Sequence, residues 1–227
     1  MPHQARYDEH AAWYESTRPD LDNAERNCLV RLLGDGAGRC LDLGCGTGVA
    51  IPVLRELGWT VIGVDVSDEM LVRAALRGAE LVRASADELP FGDASFDAAV
   101  SLWTHTDADD FPAMMREVAR VLAPSAPLVY LGAHPCFIGP HSRFVRGEGK
   151  PELHPGYTST ERCFDSHVFG PDGLRAKVGA THMPLGAFLH AFLDAGLELE
   201  AFEELGLDDP ERLFPYRIAL RCRKRAG

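Results

Sequence analysis

The chain has 227 residues, of which 46% are hydrophobic and 25% charged, with a formal net charge of −11. That length fits one large domain or one domain with an elaboration. The acidic balance argues against a nucleic-acid substrate and an anionic membrane surface, both of which need a basic face.

Tyr7, His10, Ala11 and Tyr14 share one face and predict a helix over residues 3–18, ended by Pro19. Leu21, Cys28, Leu29, Leu32 and Leu33 predict a second helix over 21–33, followed by a glycine-rich loop at 34–38. Strands and helices then alternate. A strand at Arg39–Leu43 leads to a helix at Gly48–Leu57, stopped by Gly58. A β-branched strand at Trp59–Val64 ends in Asp65, and Ser67 caps a helix through about Leu76. A short strand at Ala79–Ala84 and a turn at Ser85–Leu89 follow.

Phe96–Leu102 reads as a fourth strand. Phe111, Met114, Met115, Val118 and Leu122 mark an amphipathic helix over 109–122. Pro124 and Pro127 bracket a turn into a fifth strand, Leu128–Leu131. The alternation fails over 132–184, where prolines, glycines, five histidines and several aromatics predict a folded insertion or lid. A helix at Pro184–Ala195 and strands at Leu197–Glu204 and about Tyr216–Arg223 close the chain. Five strands of βα type and a closing pair make an α/β fold with a doubly wound, mostly parallel sheet.

No apolar run approaches the roughly 20 residues of a membrane span. The polar start, Met1 to His10, lacks the apolar core of a signal peptide, so a cytoplasmic location is expected. Six scattered cysteines show neither zinc nor disulfide spacing and read as buried free thiols; no metal is expected.

The stretch Cys40-Leu-Asp-Leu-Gly-Cys-Gly-Thr-Gly-Val-Ala50 organises the chain. It is a strand, a tight turn with Gly44, Gly46 and Gly48, and a helix start, the usual place for an open α/β sheet to bind a nucleotide-like ligand. Asp65 lies 21 residues after Gly44, at the end of the second strand, where an acid grips ribose hydroxyls.

Four motifs now stand in register: Leu41 to Gly48, Gly63-Val-Asp-Val-Ser67, Leu89-Pro-Phe91 with Ser95-Phe-Asp97, and Glu117 to Leu122. Together they resemble the class I S-adenosylmethionine-dependent methyltransferases of the small-molecule branch, over about residues 36–131. The resemblance implies a seven-stranded Rossmann-like methyltransferase fold with an antiparallel closing strand and an insertion before the last helix. It divides the chain into an N-terminal helical lid (1–35), a cofactor-binding core (36–131), a substrate-side insertion (132–184) and a closing helix and strand pair of the same core (185–227).

It also implies S-adenosylmethionine as cofactor. The three glycines would admit its amino-acid part, and Asp42 would orient the loop, meet the ammonium group or cap backbone donors. Asp65 would hold the ribose, with Val66 and Met70 walling the adenine. Ser85, Ala86 and Asp87 stand where the family contacts the adenine edge; many relatives have Asp at the position of Ser85. Leu102 borders the methionine end, and Tyr14 resembles the aromatic residue that closes over the cofactor. Pro124-Ser-Ala-Pro127 departs from the glycine pair usual before the fifth strand.

Methyl transfer needs alignment and dryness, with a base helpful for O- or N-attack. Histidine, with a pKa of about 6.5, suits that task. His105 and His134 follow the ends of the fourth and fifth strands and are the candidate bases; Tyr7, Trp103, His141 and His182 are candidate substrate contacts. The expectation is a methyltransferase acting on an O, N or C atom of a small organic molecule, as a monomer or homodimer without nucleic-acid or membrane partners. The rivals are a non-catalytic or regulatory S-adenosylmethionine-binding protein and a nicotinamide-dependent oxidoreductase. Against the last, the glycine pattern is G-x-G-x-G, without the third glycine three residues on that the dinucleotide turn uses.

Overall fold

In the computed structural model, the apolar runs at Arg39–Leu43 (β1), Thr60–Asp65 (β2), Glu80–Arg83 (β3), Ala98–Leu102 (β4) and Pro127–Ala133 (β5) lie as parallel strands. The structure describes residues 5–138, 156–164, 173–206 and 214–226. Leu197–Leu205 (β6) and Arg217–Lys224 (β7) complete a seven-stranded sheet in the order β3-β2-β1-β4-β5-β7-β6. β7 runs antiparallel to both of its neighbours, so the closing pair belongs to the same sheet as the core.

The helices are Ala11–Thr17 (α1), Asn23–Leu33 (α2), Ile51–Glu56 (α3), Asp68–Ala74 (α4), Phe111–Val121 (α5), Leu174–Val178 (α6) and Leu185–Asp194 (α7). The two-residue period of the strands sorts side chains between the two faces. Leu41, Leu43, Ile62 and Tyr130 pack under α5 and α7. Cys40, Val61, Val100 and Val129 pack under α2 and α3. Both faces are covered, which is why the strands read as nearly continuous apolar runs. β1 and β4 are neighbours while the chain leaves β1 toward β2, so the strand order reverses between them. That reversal opens a crevice at the carboxyl ends of the strands.

Several boundaries differ from expectation. The helix expected over 3–18 is a short 3-10 turn at Asp8–His10 running into α1; residues 1–4 lie outside the described residues. The helix expected from Gly48 starts at Ile51, because Gly48 has a left-handed φ of 77°. β4 starts at Ala98; Phe96 makes only an isolated bridge to Leu122. In the Pro124–Pro127 turn Ser125 takes the left-handed conformation, φ 65°. α6 lies within the segment 132–184, where the sequence predicts no specific helix.

All six cysteines are free thiols. Among the described residues no helix is long and apolar enough to cross a membrane, and no group of three or more metal-ligating side chains converges.

Candidate functional site

The glycine loop leaves β1 with Gly44 at φ 67° and Gly46 at φ 53°, conformations that L side chains avoid. A Cβ on Gly44 would lie 2.5 Å from Thr104 Cγ2, whereas one on Gly46 would meet no atom within 4 Å. The Gly46 N–H donates to Asp65 Oδ2 and the Ser67 N–H to Asp65 Oδ1, both at 2.9 Å. Burial raises the Asp65 carboxyl above the usual carboxylate range against the pull of these bonds, and the charge of Asp107 raises it further. Ser67 also caps α4, and its hydroxyl donates to Asp8 Oδ1 at 2.5 Å, tying the N-terminal segment down.

A cavity of about 840 Å3 opens over this loop at the carboxyl ends of the strands. Its size suits a small-molecule site. Gly44, Gly46, Asp65, Val66, Met70, Ser85, Ala86, Asp87 and Leu102 line one part. The Ser85 hydroxyl donates to Asp87, so the acid displaced by two residues is held beside the serine. Tyr7 and Tyr14 roof the cavity, their rings edge to face at 5.6 Å. Trp103 lines it from a left-handed backbone, φ 63°. Its indole N–H donates to Glu25 Oε1 at 2.8 Å, and the Arg18 guanidinium lies 4.6 Å over its ring.

Five expected site residues do not line this cavity, each for a packing reason. Gly48 serves helix contact: a Cβ there would lie 2.7 Å from Ile51 Cδ1 and 3.1 Å from Ala74 Cβ. Asp42 is buried in β1 with Oδ2 unpartnered; burial first, then the nearby Asp65 charge, pushes its carboxyl up to about 7. His105, an expected base, is a core residue. Its Nδ1 lies 2.5 Å from the Tyr130 hydroxyl, its ring packs edge-on against Phe111 and Phe188, and burial pushes its pKa down to about 3. His134, the other expected base, is buried between the Glu204 carboxylate (Nε2 to Oε1, 3.0 Å) and the Cys136 N–H, which donates to Nδ1 at 3.1 Å. Burial lowers its pKa as well. His182 is buried with its ring 5.1 Å from that of Tyr157. His141 lies outside the described residues.

Other lining residues carried no signal in the sequence. Arg6, Arg18, Glu25, Asp107, Arg175 and Arg217 all reach the cavity. Glu25 belongs to the capping box of α2 with Asp22, which a pattern search reads as a helix start only. In the fold its buried carboxylate pairs with Arg18 and with Arg217 at 3.4 Å. The Asp107 charge reaches Tyr7, and Arg175 Nη1 lies 3.3 Å from Asp107 Oδ1. Burial, then the Asp107 charge, raises the Tyr7 pKa well above its ordinary value, so this phenol stays protonated.

The arrangement suits a nucleoside bearing an amino-acid tail. The open space at Gly46 admits a ligand against bare backbone, Asp65 stands at the end of β2, and Val66, Met70 and Leu102 supply apolar walls. Comparison with known proteins agrees. Residues 41–130 match the family described as a methyltransferase domain. A demethylmenaquinone methyltransferase of Corynebacterium kroppenstedtii is 34% identical over 116 residues, covering 51% of this chain and 46% of that protein. The O-methyltransferase resE of Aspergillus sclerotiorum is 32% identical over 123 residues, covering 50% and 47%. An S-adenosylmethionine-dependent methyltransferase structure from Mesorhizobium loti superposes with a TM-score of 0.72 at 25% identity, covering 88% of this chain and 95% of that one. The chain spans about half the length of the curated relatives it matches.

Proposed function

We propose that this chain, whose residues 41–130 match a methyltransferase-domain family, is a class I S-adenosylmethionine-dependent methyltransferase that methylates an O, N or C atom of a small organic molecule. The observation that carries the proposal is the continuity of the cavity. One space is lined by the glycine loop and Asp65 and also by Tyr7, Tyr14, Ile138, Leu174 and Phe214. A nucleoside cradle joined to an aromatic and apolar chamber is what a transfer between two bound molecules requires. The quinone and O-methyltransferase relatives accord with a small acceptor. Neither a dinucleotide oxidoreductase nor a non-catalytic binder is favoured by them.

When bound, S-adenosylmethionine supplies an electrophilic methyl group on a sulfonium. In this reading Asp65 holds the ribose hydroxyls, and Val66 and Met70 flank the adenine. Ser85, Ala86 and Asp87 take its edge, and Gly44 and Gly46 give the amino-acid tail access to backbone. Leu102 and Trp103 border the methionine end. Tyr14 closes the roof and, with Tyr7, excludes water from the acceptor. Holding two reactants in line accounts for roughly 7–11 kcal/mol of barrier. His105 and His134 act here as core groups and not on the acceptor.

A reducing cytoplasm suits six unpaired thiols, and a monomer or homodimer suffices for a site built from one chain. Titration calorimetry with S-adenosylmethionine and S-adenosylhomocysteine, followed by an acceptor screen with methyl-labelled cofactor, tests the reading. Saturable binding of both and label in a small molecule are expected; absence of binding at millimolar concentration sinks it.

A further inference from the structure

We propose, on the methyltransferase reading, that Arg77 is a positioning residue for the cofactor. It fastens the strap between α1 and α2, residues 18–22, to the glycine loop. Filling the loop and closing the strap over the cavity are then one event.

Arg77 closes the 3-10 turn Ala75–Arg77 that follows α4, and Gly78, at φ 74°, turns the chain toward β3. Its backbone is held from α3, where Arg55 Nη1 donates to the Arg77 carbonyl at 3.2 Å. The side chain is 18% exposed, and its guanidinium donates in three directions. Nε donates to the Thr47 carbonyl at 3.3 Å, Nη2 to the Pro19 carbonyl at 2.5 Å and Nη1 to Asp20 Oδ1 at 2.9 Å. Thr47 lies between Gly46 and Gly48 in the glycine loop. Pro19 and Asp20 belong to the strap and line the cavity with Arg18 and Asp22; Arg77 stands behind them and does not line it. Among the described residues no other side chain donates to both segments.

The glycine loop and α4 form one body. A Cβ on Gly48 would lie 3.1 Å from Ala74 Cβ, so the loop packs directly on α4. The Gly46 and Ser67 N–H groups share the Asp65 carboxylate, which ties the loop to the start of the same helix. Met70 carries that helix to the cavity wall. The strap is neither helix nor strand, and Pro19 has no N–H to donate. Its distance from the loop is set through Arg77.

Asp20 is 74% exposed, and a solvated ion pair contributes little. The Pro19 and Thr47 carbonyls therefore carry the link. A guanidinium is planar and holds its nitrogens at fixed spacing. The two carbonyls are satisfied together only within a narrow range of strap-to-loop separation. A lysine ammonium, a single point of charge, does not span them. A ligand that orders the loop therefore orders the strap, and by linkage the ordered strap strengthens binding at the loop.

The test is hydrogen exchange of the full chain with and without saturating S-adenosylhomocysteine, read on peptides covering 17–22 and 43–50, beside titration calorimetry. In the wild type the ligand is expected to slow exchange about tenfold or more in both peptides, along one titration curve. In R77K the loop stays protected at saturation, the strap exchanges within about twofold of its ligand-free rate, and affinity falls about tenfold. D20N leaves both carbonyl bonds in place and keeps wild-type protection and affinity within about twofold. The proposal is overturned by a wild-type strap that the bound ligand leaves unprotected, by R77K with wild-type strap protection, or by R77K that loses loop and strap protection together. The second is the mark of direct contact between ligand and strap, and the third of a role in folding alone. The first needs no variant to fold. A wild type that shows no heat of binding with S-adenosylhomocysteine and no protection anywhere sinks the methyltransferase reading itself.

Discussion

The Asp65 carboxylate accepts one N–H with each oxygen, from Gly46 and from Ser67, so it braces the glycine loop as well as lining the cavity. In the proposed reading, removing it takes away both a ribose contact and the brace. Hydrogen bonds to a charged group are worth about 1.5–3 kcal/mol. Asp65→Ala is therefore expected to weaken S-adenosylhomocysteine binding by at least about tenfold in calorimetry; unchanged affinity removes the ribose assignment. His105 illustrates the opposite case, a chemically attractive side chain with a structural position. Its folded pKa of about 3 lies below the ordinary value, because burial penalises the imidazolium. Between about 3 and about 6.5 the unfolded chain binds a proton that the folded chain does not, so this group's stability contribution is lost as pH falls through that window. The slope is at most about 1.4 kcal/mol per pH unit. His105→Phe is expected to flatten the fall in stability between pH 7 and pH 5, read by urea denaturation. It should lower stability at pH 7 by about 1–3 kcal/mol through the orphaned Tyr130 hydroxyl, and leave S-adenosylhomocysteine binding unchanged. A loss of binding would return His105 to the site.

At the scale of elements, α2 joins the helix-start chemistry of its sequence to the cavity. Asp22 and Glu25 form a reciprocal capping box, and the same Glu25 carboxylate reaches Arg18, Trp103 and Arg217. Arg217 in turn opens β7, so one side chain holds a helix start, the turn after β4 and the closing strand together. Both Glu25 and Arg217 side chains are almost fully buried, at 3% and 4% exposure. Breaking a buried pair leaves an uncompensated charge, at a cost of about 3–5 kcal/mol. Glu25→Gln is expected to lower the urea midpoint accordingly and to quench or shift the emission of Trp103. A drop below about 1 kcal/mol would mean the pair is solvated in solution.

Across the whole molecule, the N-terminal segment lies over the cavity and is tied to the core by polar contacts. Arg6 pairs with Asp109, Asp8 accepts from Ser67, Glu15 pairs with Arg73 at 2.5 Å and Asp20 with Arg77 at 2.9 Å. Partly exposed pairs are screened by salt. Tryptic cleavage after Arg6 is therefore expected to speed up with salt relative to cleavage within the sheet, and S-adenosylhomocysteine should suppress it. Equal relative rates at low and high salt would show that apolar packing holds this segment. The alternation of strands and helices, the glycine loop and the spacing from Gly44 to Asp65 were legible in the chain, because each is written in local periodicity, turn chemistry and the short reach between neighbouring strands. Tertiary structure alone decided which side chains face the cavity. Arg6 meets Asp107 across 101 positions and Asp22 meets Arg217 across 195, separations at which pattern is silent. His105 and Asp107 stand two residues apart in one loop, yet packing against Phe111, Tyr130 and Phe188 draws the first into the core and leaves the second lining the cavity. The glycine loop and Asp65 thus follow from sequence because they are short-range features; the rest of the cavity depends on the facing of residues brought together from distant parts of the chain.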